Sequence, residues 1–278
     1  MNTAAPQRED RLPAGACDCH AHVYGPPERY PLRPGGRYVP PAKYLADYQQ
    51  MLQRAGIDRA VVVQPTVYAN NDVTADALAA SNGAWRAVAK FTDGSISADL
   101  REMDRAGFRG VRVHGMGATT ELAKLEEVAR TVAPFGWHVQ LHMESRLLPE
   151  LEARLRQLPV PVVLDHFARL SPDDATESPP MQALLRLLAT GKCWVKLSGY
   201  NHVSRQPFPH PDLQPLAKTF IAARPDRMLW GSDWPHPSYE GPPIDDAELP
   251  GALRTWAADR QVWEGILVRN PAELYGFA

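Results

Sequence analysis

Short apolar runs rich in β-branched residues recur along the chain, separated by longer segments patterned like amphipathic helices. Eight runs read as strands, near Ala16–His22, Arg59–Gln64, Ala87–Phe91, Gly110–His114, His138–His142, Val160–His166, Trp194–Ser198 and Met228–Asp233. The helical segments between and after them are Leu45–Ala55, Thr74–Asn82, Ile96–Ala106, Leu122–Phe135, Arg146–Gln157, Met181–Thr190, Leu213–Ala223 and Glu248–Arg260 with the last turn. Gly56, Gly107, Gly136 and Gly191 stand near the ends of such segments, where a left-handed cap is needed.

Eight alternations of strand and helix predict an α/β fold, a single-domain (β/α)8 TIM barrel. Ala60–Val63 and Val160–Leu164 are almost continuously apolar, as strands buried on both faces should be. An open doubly wound sheet competes with the barrel, but no glycine-rich phosphate fingerprint follows any strand. Residues 1–14 read as a disordered or extended lead-in and 15–278 as the barrel. Two loops exceed the usual length, Tyr24–Lys43 and Gly199–Pro211. Both fall on the rim where barrel active sites lie, so both are candidate lids or substrate walls.

The 278 residues suffice for a substantial core, and 44% hydrophobic with 22% charged residues is ordinary globular composition. A net charge of −2 argues against broad nucleic-acid or anionic-membrane binding. Nothing approaches the roughly 20 apolar residues that span a bilayer. Met1–Pro13 lacks the apolar segment of a secretory signal. Three cysteines make no disulfide framework and suit a reducing cytoplasm. The 27 prolines fall between the apolar runs and mark defined loops.

Five of nine histidines, His20, His22, His114, His142 and His166, end expected strands, and His236 follows the last one. A lone histidine is usually a hydrogen-bonded bystander, as expected for His138 and His202. So many at one end of successive strands point instead to a site. Period-two alternation puts Asp18, His20 and His22 on one face of the first strand and Cys17, Cys19 and Ala21 on the other, against helices. On the fifth strand His138, Gln140 and His142 are in phase, and only His142 reaches the carboxy-terminal end. On the sixth, Val162, Leu164 and His166 are in phase and Asp165 points away.

A closed barrel brings Asp233, more than 200 residues distant, to His20 and His22. Neutral imidazoles with one carboxylate and a position left for water suit zinc. Such an ion lowers the pKa of its water toward about 7. Asp233 is placed to accept that proton, and His166 to orient the water or polarise a carbonyl.

Three segments, His20-Ala21-His22, Asp165-His166-Phe167-Ala168-Arg169 and Gly231-Ser232-Asp233-Trp234-Pro235-His236-Pro237, together resemble the amidohydrolase superfamily. More narrowly, they resemble its branch of 2-pyrone-4,6-dicarboxylate lactonase and related sugar-acid and muconolactone-type lactonases. The likeness runs from about Gly15 to Tyr275 and takes in Val23-Tyr24-Gly25-Pro26, Val62-Val63-Gln64-Pro65-Thr66 and Gly110-Val111-Arg112. It implies hydrolysis of a lactone ring or similar carboxylic ester in a small anionic substrate. His20, His22, His166 and Asp233 carry over as core residues. Arg112 and Arg169 carry over as candidates for gripping substrate carboxylates, as the guanidinium fork allows; a structural ion pair is the alternative for such an arginine. Tyr38 and Thr66 stand where the family presents hydroxyls to substrate, and His236 joins the substrate-binding candidates.

Two departures from that branch matter. The pyrone enzymes work without metal and resemble an aromatic hydroxyl position at the end of the fifth strand, where this chain has His142. A mononuclear site of His20, His22, His142 and Asp233 is therefore expected, with zinc before manganese. No lysine ends the fourth strand, so a carbamate bridging two metals is not expected. After that strand, Gly115-Met116-Gly117-Ala118 replaces an expected basic residue, and Tyr200, His202 and Arg205 of the later loop are the candidates to compensate. A metal-dependent decarboxylase of an aromatic or enol acid uses a similar framework and is the alternative enzyme. A non-catalytic barrel that binds a small acid is the other. The assembly state is left open.

Overall fold

Eight parallel strands pair in chain order around one barrel. They are β1 (Cys17–Ala21), β2 (Arg59–Val63), β3 (Trp85–Lys90), β4 (Phe108–Gly115), β5 (His138–Met143), β6 (Val162–Leu164), β7 (Cys193–Leu197) and β8 (Met228–Trp230). The computed structural model describes residues 11–33, 39–91, 96, 98–117, 120–237 and 239–278. Most of the expected lead-in and all of Tyr38 lie outside the described residues. The barrel closes just past β8, where His22 N–H donates to the Trp234 carbonyl at 2.7 Å and Asp233 N–H donates to that of His20 at 2.8 Å.

The helices follow the strands: α1 (Leu45–Ala55), α2 (Asp72–Ala80), α3 (Leu100–Ala106), α4 (Leu125–Val132), α5 (Leu148–Gln157), α6 (Pro179–Ala189), α7 (Leu213–Ala223) and α8 (Leu249–Trp256). Two short helices, α9 (Arg260–Glu264) and α10 (Asn270–Tyr275), end the chain. The longer helices cover the barrel with an apolar stripe. In α4 that stripe is Leu125, Val128, Ala129 and Val132, all buried at helical spacing. Burying each of its larger side chains contributes roughly 1.5–3 kcal/mol. The expected start of α3 at Ile96 is too early, because the Asp99 carboxylate accepts from the amides of Arg101 and Glu102 and fixes the cap there. The four cap glycines all take the left-handed conformation.

Two buried clusters show which way each strand faces. Cys17 and Cys19 lie with Val61, Val63, Val88, Val163, Trp194, Leu229 and Tyr275. Nearly all of these lie on strands, two residues apart where one strand gives two, and only Tyr275 comes from a helix, which identifies the barrel interior. Ala21, Ala60, Val62, Val111, Val162 and Leu164 pack outward with the helices. The expectation that Cys17 and Cys19 face helices is thus corrected. Its cause is a bulge: Asp18 pairs with Ala60 and Ala21 with Val62, so three steps on β1 match two on β2. The extra residue resets the alternation. Cys19 and His20 both face inward, while Asp18 turns out to meet Tyr48 of α1, whose hydroxyl donates to it at 3.0 Å.

A second correction concerns β6. Val163 faces the interior, so Asp165, two residues on, points into the barrel and not away from it. β6 ends at Leu164, and His166 through Arg169 all take positive φ between 52° and 58°.

Candidate functional site

Three ligand-type atoms converge at the carboxy-terminal rim. Nε2 of His20 lies 3.3 Å from Nε2 of His22, and Asp233 Oδ1 stands 3.6 Å from the first and 3.7 Å from the second. All three residues are buried. Gly231 makes the approach possible, since a Cβ there would lie 2.8 Å from the backbone nitrogen of His20. Asp18 ties the two ends of the seam. Its carboxylate accepts from the amides of His20 and Ser232 at 3.1 and 2.9 Å and from the Ser232 hydroxyl at 2.5 Å. Asp233 itself sits at φ 62°, a strained position for a non-glycine residue.

His22 Nδ1 is 2.8 Å from the Val63 carbonyl, which can only accept, so Nδ1 carries the ring proton and Nε2 presents a lone pair. Burial pulls His20 down to about 4 and His22 to about 3, so both rings are neutral near pH 7. Burial would raise Asp233, but the imidazoles of His166, His202 and His20 outweigh it and hold its carboxyl well below the ordinary value. Among the described residues neither Asp233 oxygen takes a well-aligned hydrogen bond, although His202 Nε2 stands 3.2 Å from Oδ2. Two nitrogen donors and a buried, unsatisfied carboxylate form a donor set that fits a divalent ion such as zinc.

The other rim histidines surround the second Asp233 oxygen. His202 Nε2 lies 3.2 Å from Oδ2. The His166 ring packs 4.7 Å from that of His20 and 5.0 Å from that of His202, with Nδ1 3.1 Å from the Ser198 hydroxyl. Gly199 is required beneath it, because a Cβ would fall 2.2 Å from His166 Nδ1. His142 does not join the close group of His20, His22 and Asp233. Its ring centroid is 5.2 Å from that of His166, and its buried Nε2 has no hydrogen-bond partner among the described residues.

Below the rim lies a charged layer. Asp165 Oδ1 is 3.3 Å from His20 Nδ1, and its Oδ2 accepts from Arg112 Nε at 2.9 Å and from Gln140 Nε2 at 3.2 Å. Burial would raise Asp165, but Arg112, His20 and Lys196 hold it well below the ordinary value. The fully buried Lys196 donates to Gln140 Oε1 at 2.7 Å, and burial lowers it to about 8. Arg112 thus has one edge engaged in a structural ion pair.

Arg169, by contrast, is half-buried and has neither an ion pair nor a hydrogen bond among the described residues. Thr66 is half-buried just after β2. His236 Nε2 lies 2.7 Å from Asp246 Oδ1, so one side of its ring is occupied.

Sequence reasoning missed Lys196 and did not place His202 or Asp165 correctly in this constellation. His202 is carried in by the long loop after β7, whose position on the active rim was the available signal. Lys196 was detectable as a charge within an otherwise apolar strand, in phase with Trp194. Asp165 was seen but assigned to the wrong face.

The chain resembles known proteins over nearly its whole length. The chain is 34% identical over 274 residues to a 4-sulfomuconolactone hydrolase of Hydrogenophaga intermedia, covering 95% of this chain and 90% of that one. It is 32% identical over 278 residues to a 2-pyrone-4,6-dicarboxylate hydrolase of Comamonas testosteroni, covering 95% and 91%. An apo crystal structure from Agrobacterium tumefaciens superposes with a TM-score of 0.88 at 29% identity, over 97% of this chain and 98% of that one. The amidohydrolase family model matches residues 17–277, nearly the whole barrel, and the chain belongs to that family.

Proposed function

We propose that this protein hydrolyses the lactone ring, a cyclic carboxylic ester, of a small substrate bearing at least one carboxylate or sulfonate. The observation that carries the reading is Asp233, a fully buried carboxylate without a well-aligned hydrogen bond among the described residues, ringed by the imidazoles of His20, His22 and His202. Leaving a buried charge unsatisfied costs a few kcal/mol and persists where chemistry uses it. The relatives named as hydrolases of a sulfomuconolactone and of a pyrone dicarboxylate support both the ester and the anion.

In the reaction, water attacks the lactone carbonyl carbon as Asp233 takes its proton. His166 orients that water or polarises the carbonyl oxygen. The ring C–O bond then breaks, and the proton held on Asp233 passes to the departing alkoxide, giving a hydroxy acid. Arg169, its guanidinium unpaired, receives the substrate's anionic group, assisted by the free edge of Arg112. Thr66, His236 and Tyr38 complete the substrate-binding set.

His20, His22 and Asp233 would hold one divalent ion, zinc first, while His142, the expected fourth ligand, stands outside that close group beside His166. When bound, such an ion polarises the carbonyl and makes water a better nucleophile at neutral pH. The three cysteines are free and buried, which suits a reducing cytoplasm. No helix among the described residues is long and apolar enough to cross a membrane.

The test is a panel of anionic lactones read by acid release, beside aromatic acids read by carbon dioxide. Ring opening of at least one anionic lactone is expected. Carbon dioxide release without ring opening would replace this reading with the decarboxylase.

A further inference from the structure

Neutral imidazole carries one ring proton, and His20 has two places for it. Its Nδ1 faces two buried groups that want opposite things. Asp165 Oδ1, at 3.3 Å, can only accept; Lys196 Nζ, at 3.4 Å, can only donate. Its Nε2 faces His22 Nε2 and Asp233, both without a proton.

The two tautomers therefore make different sites. With the proton on Nε2, His20 donates toward His22 or Asp233, and the rim cluster is satisfied by protein atoms alone. With the proton on Nδ1, three lone-pair donors converge with nothing between them, and only a cation or a proton donor from outside completes the cluster.

The surroundings decide between these arrangements. Lys196 is already engaged, donating to Gln140 Oε1 at 2.7 Å. The buried Asp165 Oδ1 takes no well-aligned hydrogen bond among the described residues, and His20 Nδ1 at 3.3 Å is the nitrogen placed to supply one, whereas Oδ2 has both Arg112 and Gln140. An Nε2 proton would leave the Nδ1 lone pair opposite a buried anionic oxygen that has no partner. That arrangement costs about 1–3 kcal/mol and more for a charged group. A long contact from an ammonium already engaged offsets less. Arg112 and Gln140 also fix the carboxylate so that Oδ1 cannot swing away.

We propose that Asp165 is a positioning residue that holds His20 in its Nδ1–H form, so that the Nε2 lone pair is delivered to the rim and the His20–His22–Asp233 cluster is built to receive a cation. A carboxylate behind an imidazole is the arrangement that orients a metal-binding histidine and strengthens it as a donor. Only the kinetic consequence rests on the lactonase reading. The tautomer is read without turnover, so a failure here is distinct from a failure to open lactones.

The experiment is a long-range proton–nitrogen correlation spectrum of the 15N-labelled full chain, as purified and after chelation, with the His20 signals assigned from His20→Gln. The expected result is an Nδ1–H ring for His20 in the chelated wild type. In Asp165→Asn the ring should shift toward Nε2–H, and zinc affinity measured by competition with a chromogenic chelator should fall about 10–100-fold. An Nε2–H ring in the chelated wild type overturns the proposal, and that spectrum decides even if the variant does not fold. So does an Asp165→Asn protein that keeps the Nδ1–H ring or binds zinc as tightly as wild type.

Discussion

His202 Nε2 lies 3.2 Å from Oδ2 of Asp233, on the opposite side of the carboxylate from the His20–His22 pair. The carboxylate is thus flanked by imidazoles at both oxygens, from β1 at Oδ1 and from the loop after β7 at Oδ2. A base so placed keeps its orientation while it gives up and regains a proton. His202→Ala should lower kcat by about 10–100-fold with KM changed little, since the contact is to the proton acceptor and not to the substrate's anion. Steady-state kinetics on a lactone found in the panel checks this; an unchanged kcat removes His202 from the site.

Arg169 is a half-buried arginine of the rim that makes no ion pair or hydrogen bond among the described residues, although Asp233 and Glu144 lie within electrostatic reach. Arg169→Ala should raise KM for an anionic lactone by about 10-fold or more while leaving a neutral analogue nearly unaffected, as loss of one charge-assisted contact implies. Equal effects on both substrates would assign the residue to structure.

For the metal, elemental analysis of protein purified without chelator should find about one divalent ion per chain. Chelation should remove it together with most of the activity, and zinc should restore both. Full activity in the metal-free preparation would leave the histidine cluster to act on substrate directly.

The buried imidazoles also set the acid stability of the metal-free fold. Burial lowers His20 to about 4, His22 to about 3 and His138 to about 3, against 6.5 in an exposed chain. Between pH 6.5 and 4 the unfolded chain therefore binds more protons than the folded one. Stability is fully present above 6.5 and is lost as pH falls toward 4. Asp18 opposes this, because burial raises it to about 6 and it takes up a proton in the folded state between 6 and 3.8. It is one group against three. Urea unfolding of chelated protein should show stability falling by at least about 2 kcal/mol between pH 7 and pH 5. A flat profile would mean that these rings are hydrated or already charged in the fold.

Much of the molecule was legible because its signals are local and periodic. α1 and α7 occupy the expected residues, Leu45–Ala55 and Leu213–Ala223. The placement of His20, His22, His166 and Asp233 together needed only strand ends and the closure of a parallel barrel. What escaped depends on breaks in periodicity. The β1 bulge turns Cys19 and His20 to the same side, so strict alternation misplaced the cysteines and Asp18. Asp165 follows Val163 into the interior by plain alternation, and β6 ends two residues before His166, where the left-handed turn from His166 to Arg169 brings His166 inward as well. His202 was hidden for a different reason, since no periodicity says where a long loop folds back.

Asp233 is where these strands of reasoning meet, and Asp233→Asn tests them most directly. The substitution keeps the shape of the side chain and removes its capacity to accept water's proton. Turnover of the best anionic lactone should fall by about 100–10,000-fold, the usual contribution of a positioned base, with the unfolding midpoint little changed or raised. An Asp233→Asn protein that opens the ring at a rate near wild type would contradict the account.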